Sequence, residues 1–282
     1  MSRPILVTGA HRSGTTWVGK MLALAPGVGY VHEPFNPATP GSPFTRYYER
    51  VADEAYARPL ERALEFKPGL RRLPHDPRAL RDALRRTRSR LRGARPLVKD
   101  PIALRSADWL ADRFGMSVVV TIRHPAGFVS SVRRLGWEHD FSTFAGDERL
   151  ARFEPELRSV PDDPLDRAAL LWRILYSLVE RYRDEHPDWI LVRHEDASRA
   201  PLPTFEHLYG VLGLELTPRA RRKIESHSSS RNPVEASHRH AVRLDSAAAV
   251  DRWRSRLSPA EIGRVREATR DVWPSFYADE DW

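Results

Sequence analysis

The sequence predicts an α/β fold in which helices cover both faces of a central parallel sheet. Three observations predict it. Short apolar runs recur at 5–8, 28–32, 96–99, 118–122 and 190–193, as expected of strands buried on both faces. Helix-period segments near 15–24, 77–92, 103–113, 126–134 and 166–185 separate them and supply the crossovers that parallel strands need. The first run also passes through a Gly-bounded loop into an amphipathic helix. In that geometry, loop amides and a helix N-terminus converge on one anion.

The first element reads Ile5-Leu6-Val7-Thr8-Gly9-Ala10-His11-Arg12-Ser13-Gly14-Thr15-Thr16-Trp17. Gly9 and Gly14 have the spacing of a nucleotide-binding loop, but Thr15 follows where such loops carry lysine. The cation is Arg12, inside the loop. This predicts a phosphate site lacking the lysine that ATP chemistry normally uses, and hence a different anionic donor. The second run ends in His32-Glu33-Pro34, at the sheet edge where open α/β sheets bind ligands. Glu33 is either a charged loop residue before a proline turn or a general base. His32 is a rival, pointing to the other side by strand alternation.

The segment Arg71–Arg95 follows. It has Leu80, Leu84, Thr87 and Leu91 on one helical face and arginine around the rest. The favoured reading is an amphipathic surface helix packed by its leucines; contact with RNA, a membrane or an acidic glycan stays open. The third run ends in Lys99-Asp100-Pro101, at the same sheet edge as Glu33. The plainer reading of Lys99 is a snorkelling lysine paired with Asp100. The fourth run ends in Arg123; Pro125 primes the next helix, and Ser131 follows eight residues after Arg123. Such an Arg and Ser can grip one phosphate from two sides. Two separate strand-loop-helix anion grips predict a ligand with two separated phosphates.

Two stretches, 137–164 and 226–245, lack a clean period and read as lids or binding loops ahead of plain surface loops. Trp137, Phe141, Phe144 and Phe153 would suit a sugar ring, an aryl ring or a lipid chain. His238 and His240 read as loop residues near the cofactor. Ser258-Pro259-Ala260-Glu261 is a capping box that starts a helix running to about 272.

Composition sets the bounds. The 282 residues suit one large domain spanning 1–282, with net charge +8, nearly all of it from arginine because only four lysines are present. The positive field attracts anions. The chain has no cysteine, which excludes disulfides, thiolate catalysis and Cys-based zinc sites and fits a cytoplasmic protein. The first residues read as neither a signal peptide nor an anchor. No run approaches the ~20 apolar residues that cross a bilayer.

The ordered pair, Arg12-Ser13-Gly14-Thr15-Thr16-Trp17 and then Arg123 with Ser131, resembles the sulfotransferases that use 3'-phosphoadenosine 5'-phosphosulfate (PAPS). The resemblance extends over 31–37, 97–101, the Trp172 helix, 190–196 and 208–214, and is weakest at 38–95 and 137–165. It implies a P-loop NTPase-like three-layer fold and a role for each matched residue. The first loop would hold the 5'-phosphosulfate through Arg12, Ser13, Gly14, Thr15 and Thr16. Trp17 would stack on adenine. Arg123 and Ser131 would hold the 3'-phosphate, and Arg252 resembles a basic residue of the C-terminal cofactor loop. The chain departs from the cytosolic pattern of that family, having no Lys-Thr-His run and no Arg-Lys-Gly, with His124 where Asn or Asp is common. It is closer to bacterial, Golgi and tyrosyl-protein members that use a carboxylate base. Arg193-His194-Glu195-Asp196 resembles a mostly structural element.

The chemistry implied is in-line sulfuryl transfer to an acceptor hydroxyl, with adenosine 3',5'-bisphosphate as product. Glu33 would take the proton. Lys99 and Arg12 would stabilise charge on the bridging and sulfuryl oxygens. No metal is needed in this scheme. The acceptor is expected to be a carbohydrate or natural product, bound by loops at 38–70 and 137–164. A small-molecule or nucleoside kinase is the main alternative, with Asp100 posing as its metal-binding aspartate. A basic RNA-binding protein is the second, though no nucleic acid is expected. Peripheral membrane contact stays open, as does oligomeric state.

Overall fold

The computed structural model describes residues 3–39, 42–51, 53–67, 77–235 and 242–282. His238 and His240, Arg71 to Asp76 and parts of the 38–70 loop lie outside them, as does the side chain of Leu80. Five strands, β1 (Ile5–Gly9), β2 (Val28–His32), β3 (Arg95–Lys99), β4 (Ser117–Ile122) and β5 (Ile190–Arg193), form one sheet in the order β2-β3-β1-β4-β5. Every pairing is parallel, as the unmixed apolar runs require. β1 connects leftward to β2 and β4 rightward to β5, so the two diverge at the topological switch point between them. A crevice opens there.

The helices are α1 (Thr15–Leu22), α2 (Ala57–Leu64), α3 (Pro77–Leu91), α4 (Ala107–Phe114), α5 (Pro125–Arg134), α6 (Glu154–Arg158) and α7 (Pro164–Glu185). After β5 come α8 (His194–Arg199), α9 (Pro201–Val211), α10 (Pro218–Ser228), α11 (Ser246–Val250), α12 (Trp253–Arg256) and α13 (Pro259–Ala268). Strand alternation sends Ile5, Val7, Leu97, Val119 and Val192 to the face covered by α1, α9 and α10. Leu6, Val31, Val98, Val118, Val120 and Ile122 go to the face covered by α4, α5 and α7. The result is three layers around two apolar cores.

Local signals explain most boundaries. Asp163 caps α7 by accepting from the amides of Leu165 and Asp166, with Pro164 in the first turn. Ser258 and Glu261 form the expected capping box of α13, but this helix stops at Ala268, short of the expected 272, and a separate 3-10 turn follows over Trp273–Ser275. The helix expected over 103–113 begins as a 3-10 turn, Ile102–Ser106, because the Asp100 carboxylate accepts the Ile102 amide at 2.9 Å.

The 137–164 segment is woven into the core rather than hung over it. Phe141, Phe144 and Phe153, expected to contact an acceptor, are buried. Asp140 and Asp147 cap its two 3-10 turns. A buried ion cluster pins it: Asp147 accepts from Arg105 Nε and Arg149 Nη2, both at 2.9 Å, and Arg149 reaches Asp108 at 2.8 Å. Removing one partner of such a cluster costs about 3–5 kcal/mol. Trp137, 40 % exposed, is the large apolar side chain the segment leaves open. α3 also departs from expectation, since Leu84 and Leu91 are exposed. Among the described residues, no helix is long and apolar enough to cross a membrane.

Candidate active site

The C-terminal ends of β1 and β4 build the first half of the site. β1 ends at Gly9, whose φ of 139° favours glycine. A Cβ there would lie 2.3 Å from the Thr121 carbonyl oxygen, so glycine lets the two strand ends approach. Ser13 stitches the loop: its Oγ donates to the Ala10 carbonyl and lies 2.6 Å from Thr121 Oγ1. That hydroxyl is fully buried and is committed to loop shape.

Gly14 caps α1 in a left-handed conformation. No side chain caps this helix, and its first turn holds no acid. The amides of Trp17 and Val18 donate to the Gly14 carbonyl, while those of Thr15 and Thr16 point out of the helix end, as geometry dictates. A loop and helix end of this shape have the free amides that can receive an anion.

The sequence-predicted second grip meets the first directly. Arg12 Nε donates to Ser131 Oγ at 3.0 Å, and Arg123 Nη1 donates to the Arg12 carbonyl at 2.6 Å. Burial, then the charges of Arg123 and Arg134, lower the Arg12 guanidinium to about 10. Burial also lowers Arg123. Arg123 Nε is buried with no hydrogen-bond partner among the described residues. Gly127 makes room for it, since a Cβ there would lie 3.2 Å from that nitrogen.

The C-terminal segment closes this side. Trp253 of α12 stacks on His124, with centroids 4.8 Å apart and planes 13° apart. This docks α12 on the start of α5. Arg252 and Arg256 both pair with Glu235, at 2.7 and 2.8 Å. Arg256 was not picked out by sequence, though it lies one helical turn after Arg252 and its charge acts on Arg123. His194 was also missed. Its ring sits on Gly14, where a Cβ would lie 2.7 Å from Nδ1, and its pKa is driven down by burial and then by Arg123 and Arg12. Its place at the end of β5 was the available signal. Trp17, expected to stack on adenine, is 8 % exposed and packs edge-on against Phe205, 5.4 Å away.

The second half of the site lies at the ends of β2 and β3. The Glu33 amide donates to the Lys99 carbonyl at 2.9 Å, continuing the ladder one residue past β2. The Glu33 backbone has φ 41°. Lys99 is fully buried, and its Nζ pairs with Glu33 Oε1, not with Asp100. Gly19 of α1 makes this route available: a Cβ there would lie 2.8 Å from Lys99 Cγ. Asn36 Nδ2 donates to Glu33 Oε2 at 2.7 Å. Burial pushes the Glu33 carboxyl up, but Lys99, with help from His32 and Asn36, outweighs it and holds the pKa below the usual value.

Asp100 accepts from the amides of Phe35 at 2.6 Å and Ile102 at 2.9 Å. Its carboxyl is raised to about 7 by burial and by Glu33, against the pull of those amides and Lys99. With its oxygens committed to backbone, it braces the turn that carries Glu33 and does not act as the metal aspartate of a kinase. Val7, Lys99 and His32 are neighbours in register, so both halves of the site share one sheet edge. Tyr48 packs on the first loop, its hydroxyl 2.6 Å from His11 Nδ1. Trp137 covers Arg12, with the guanidinium carbon 5.9 Å from the ring centroid. Among the described residues no group of three or more His, Asp or Glu could hold a metal ion.

Comparison with known proteins points to one family. A family model described as "Sulfotransferase family" matches residues 4–218. Human carbohydrate sulfotransferase 1 is 32% identical over 91 residues, 30% of this chain and 22% of that protein. The Danio rerio protein of the same name is 36% identical over 158 residues, 52% of this chain and 34% of that protein. These matches thus span about a fifth to a third of the relatives' length. Among solved structures, the sulfotransferase domain of the Synechococcus PCC 7002 olefin synthase aligns with a TM-score of 0.55 at 18% identity, covering 99% of this chain and 97% of that one. The fold is therefore the P-loop-like three-layer architecture of these enzymes.

Proposed function

The chain belongs to the sulfotransferase family, and we propose that it moves a sulfuryl group from PAPS to an acceptor hydroxyl, releasing adenosine 3',5'-bisphosphate. The observation that carries this reading is the meeting of Arg12, Ser131 and Arg123 at one crevice, on the same sheet edge as the buried Glu33–Lys99 pair. Both charge types that the reaction needs are then at hand, namely cations for a twice-phosphorylated nucleotide and a carboxylate for a hydroxyl proton.

In this scheme the 5'-phosphosulfate rests on the amides of Thr15 and Thr16 and on Arg12, with Gly14 allowing close backbone approach. Arg123 and Ser131 hold the 3'-phosphate, and Arg252 closes from the C-terminal side. The seated nucleotide replaces the Arg12–Ser131 hydrogen bond. Trp17 borders the adenine.

The acceptor oxygen attacks sulfur in line as the sulfur–oxygen bond to the phosphate breaks. Glu33 takes the acceptor proton, and the electron pair of the broken bond leaves on the phosphate oxygen. Lys99 would move its ammonium from Glu33 towards that oxygen. Two effects follow from one motion. The leaving charge gains a cation in a water-poor site, and Glu33 loses the partner that keeps its pKa low, so burial raises it towards the range of a useful base.

The acceptor is proposed to be a carbohydrate or natural-product hydroxyl, approaching past Trp137. The activity is placed in the cytoplasm, in keeping with the cysteine-free composition. The test is calorimetric titration with adenosine 3',5'-bisphosphate in the presence of a chelator, alongside a transfer assay with labelled PAPS and a panel of acceptors. Tight metal-independent binding supports the reading; preference for ATP with magnesium, or no binding at all, ends it.

A further inference from the structure

We propose that α3 is a docking helix for an anionic lipid surface. The helix is oriented against the ordinary rule for amphipathic surface helices. Its apolar side chains Leu84 and Leu91 are 61 % and 83 % exposed, while Arg86 and Ser89 are half-buried. Leu84 and Leu91 are seven residues apart and so lie in nearly one line along the helix. Arg85, Arg88, Arg90 and Arg92 are exposed around them. Arg85 also lies over the Tyr30 ring, 5.9 Å from its centroid, which ties the helix to β2 and leaves the leucines outward.

Leucine in water gains nothing from that orientation. At a bilayer interface the two leucines would enter the acyl boundary. The arginines would reach the headgroups with their long stems along the apolar surface.

Charge selects among occupants. Residues 77–92 carry seven arginines and one aspartate. A second copy of this chain would bring two such strongly positive faces together, which is repulsive. RNA would match the arginines but has no use for two outward leucines, and the helix offers no aromatic ring for base stacking. A surface that is both negative and apolar just beneath its charges fits both features.

The experiment is co-sedimentation of the full chain with vesicles of phosphatidylcholine alone and with roughly a third phosphatidylglycerol, comparing wild type with L84Q/L91Q, which removes the apolar side chains and leaves the net charge unchanged. Both positions are exposed, so the core is untouched. The wild type is expected to pellet with the anionic vesicles only. The variant should partition at least about tenfold less, since two apolar insertions are lost, and about 0.5 M salt should weaken the wild type as well. Three outcomes overturn the proposal. The wild type stays in the supernatant; the variant binds as well as wild type, meaning adsorption by net charge alone; or the wild type runs as a dimer that the substitutions dissociate, meaning a second copy is the occupant. None of these readouts involves sulfuryl transfer, so the proposal stands or falls apart from the assigned chemistry.

Discussion

The two halves of the site manage charge in opposite ways. At the ends of β1 and β4, cations crowd together: Arg12 leans on Ser131, Arg123 leans on a backbone carbonyl, and Arg123 Nε is buried without a partner among the described residues. At the ends of β2 and β3, a fully buried lysine is already matched by a glutamate, which is in turn held by Asn36. The first half is charged in advance of its ligand, and the second is neutral until something disturbs it. A site divided this way can bind an anion strongly without consuming its base. In the proposed reaction the ligand would relieve the crowding of like charges, and the ion pair would rearrange.

Substitutions that should affect one half and spare the other test this division. Glu33→Gln has the largest expected effect. It should lower turnover about 10²–10⁴-fold while leaving bisphosphate affinity within a few-fold of wild type, as calorimetry would show. A variant with full turnover would remove Glu33 from the chemistry. Next is Lys99→Met, expected to cost about 10²–10³ in turnover. It also leaves Glu33 without its cation, so its melting temperature should fall as well. Arg123→Ala should act in the other half, weakening bisphosphate binding about 10–100-fold; if turnover at saturating donor fell equally far, the two halves would not be separable.

The pH dependence of stability sharpens the comparison further. Glu33 has a folded pKa below its unfolded value. Its contribution to stability is therefore fully present above the unfolded value, about 4.3, and is lost as pH falls through the depressed folded one. Subtracting the melting curve of Glu33→Gln from that of wild type should reveal this acid-side slope, and a flat difference would contradict the pairing. Asp100 works in the opposite direction. Its folded pKa is raised to about 7, so stability declines as pH rises from near 4 to 7, where the fold prefers the protonated form. The smallest effect should come from salt. Bisphosphate affinity should fall by about a few-fold on going from low to high ionic strength, whereas turnover at saturation should hardly move, because the buried pair is poorly screened.

The same contrast explains what could be read from sequence. The sheet was legible, because strands covered on both faces must be continuously apolar, and all five runs became strands within a residue or so. The residues proposed to grip the two phosphates were legible because short local motifs carry them, and the fold brings Arg12, Ser131 and Arg123 together. The pairing of Lys99 with Glu33 was not, since the two are 66 residues apart, and the neighbouring Asp100 offered a nearer partner. Only the register of β2 on β3 brings the correct carboxylate to the lysine. Phe141, Phe144 and Phe153 were misjudged for a related reason. An irregular run with many charges reads as surface, and nothing local reveals that Arg105, 42 residues away, meets its aspartate in the core. His194 and Arg256 needed tertiary packing of β5 and α12 to become visible.

Arg12 and Glu33 have φ of 67° and 41°, in a region where any side chain costs about 1–3 kcal/mol. A laboratory selection for heat resistance would therefore find Arg12→Gly an inviting change, since the loop would relax and the crowding with Arg123 would ease. The survivors of such a selection should melt higher and bind nucleotide poorly. Screening a hardened library for bisphosphate affinity, and not for melting temperature alone, would keep the working molecules from being discarded in favour of comfortable ones.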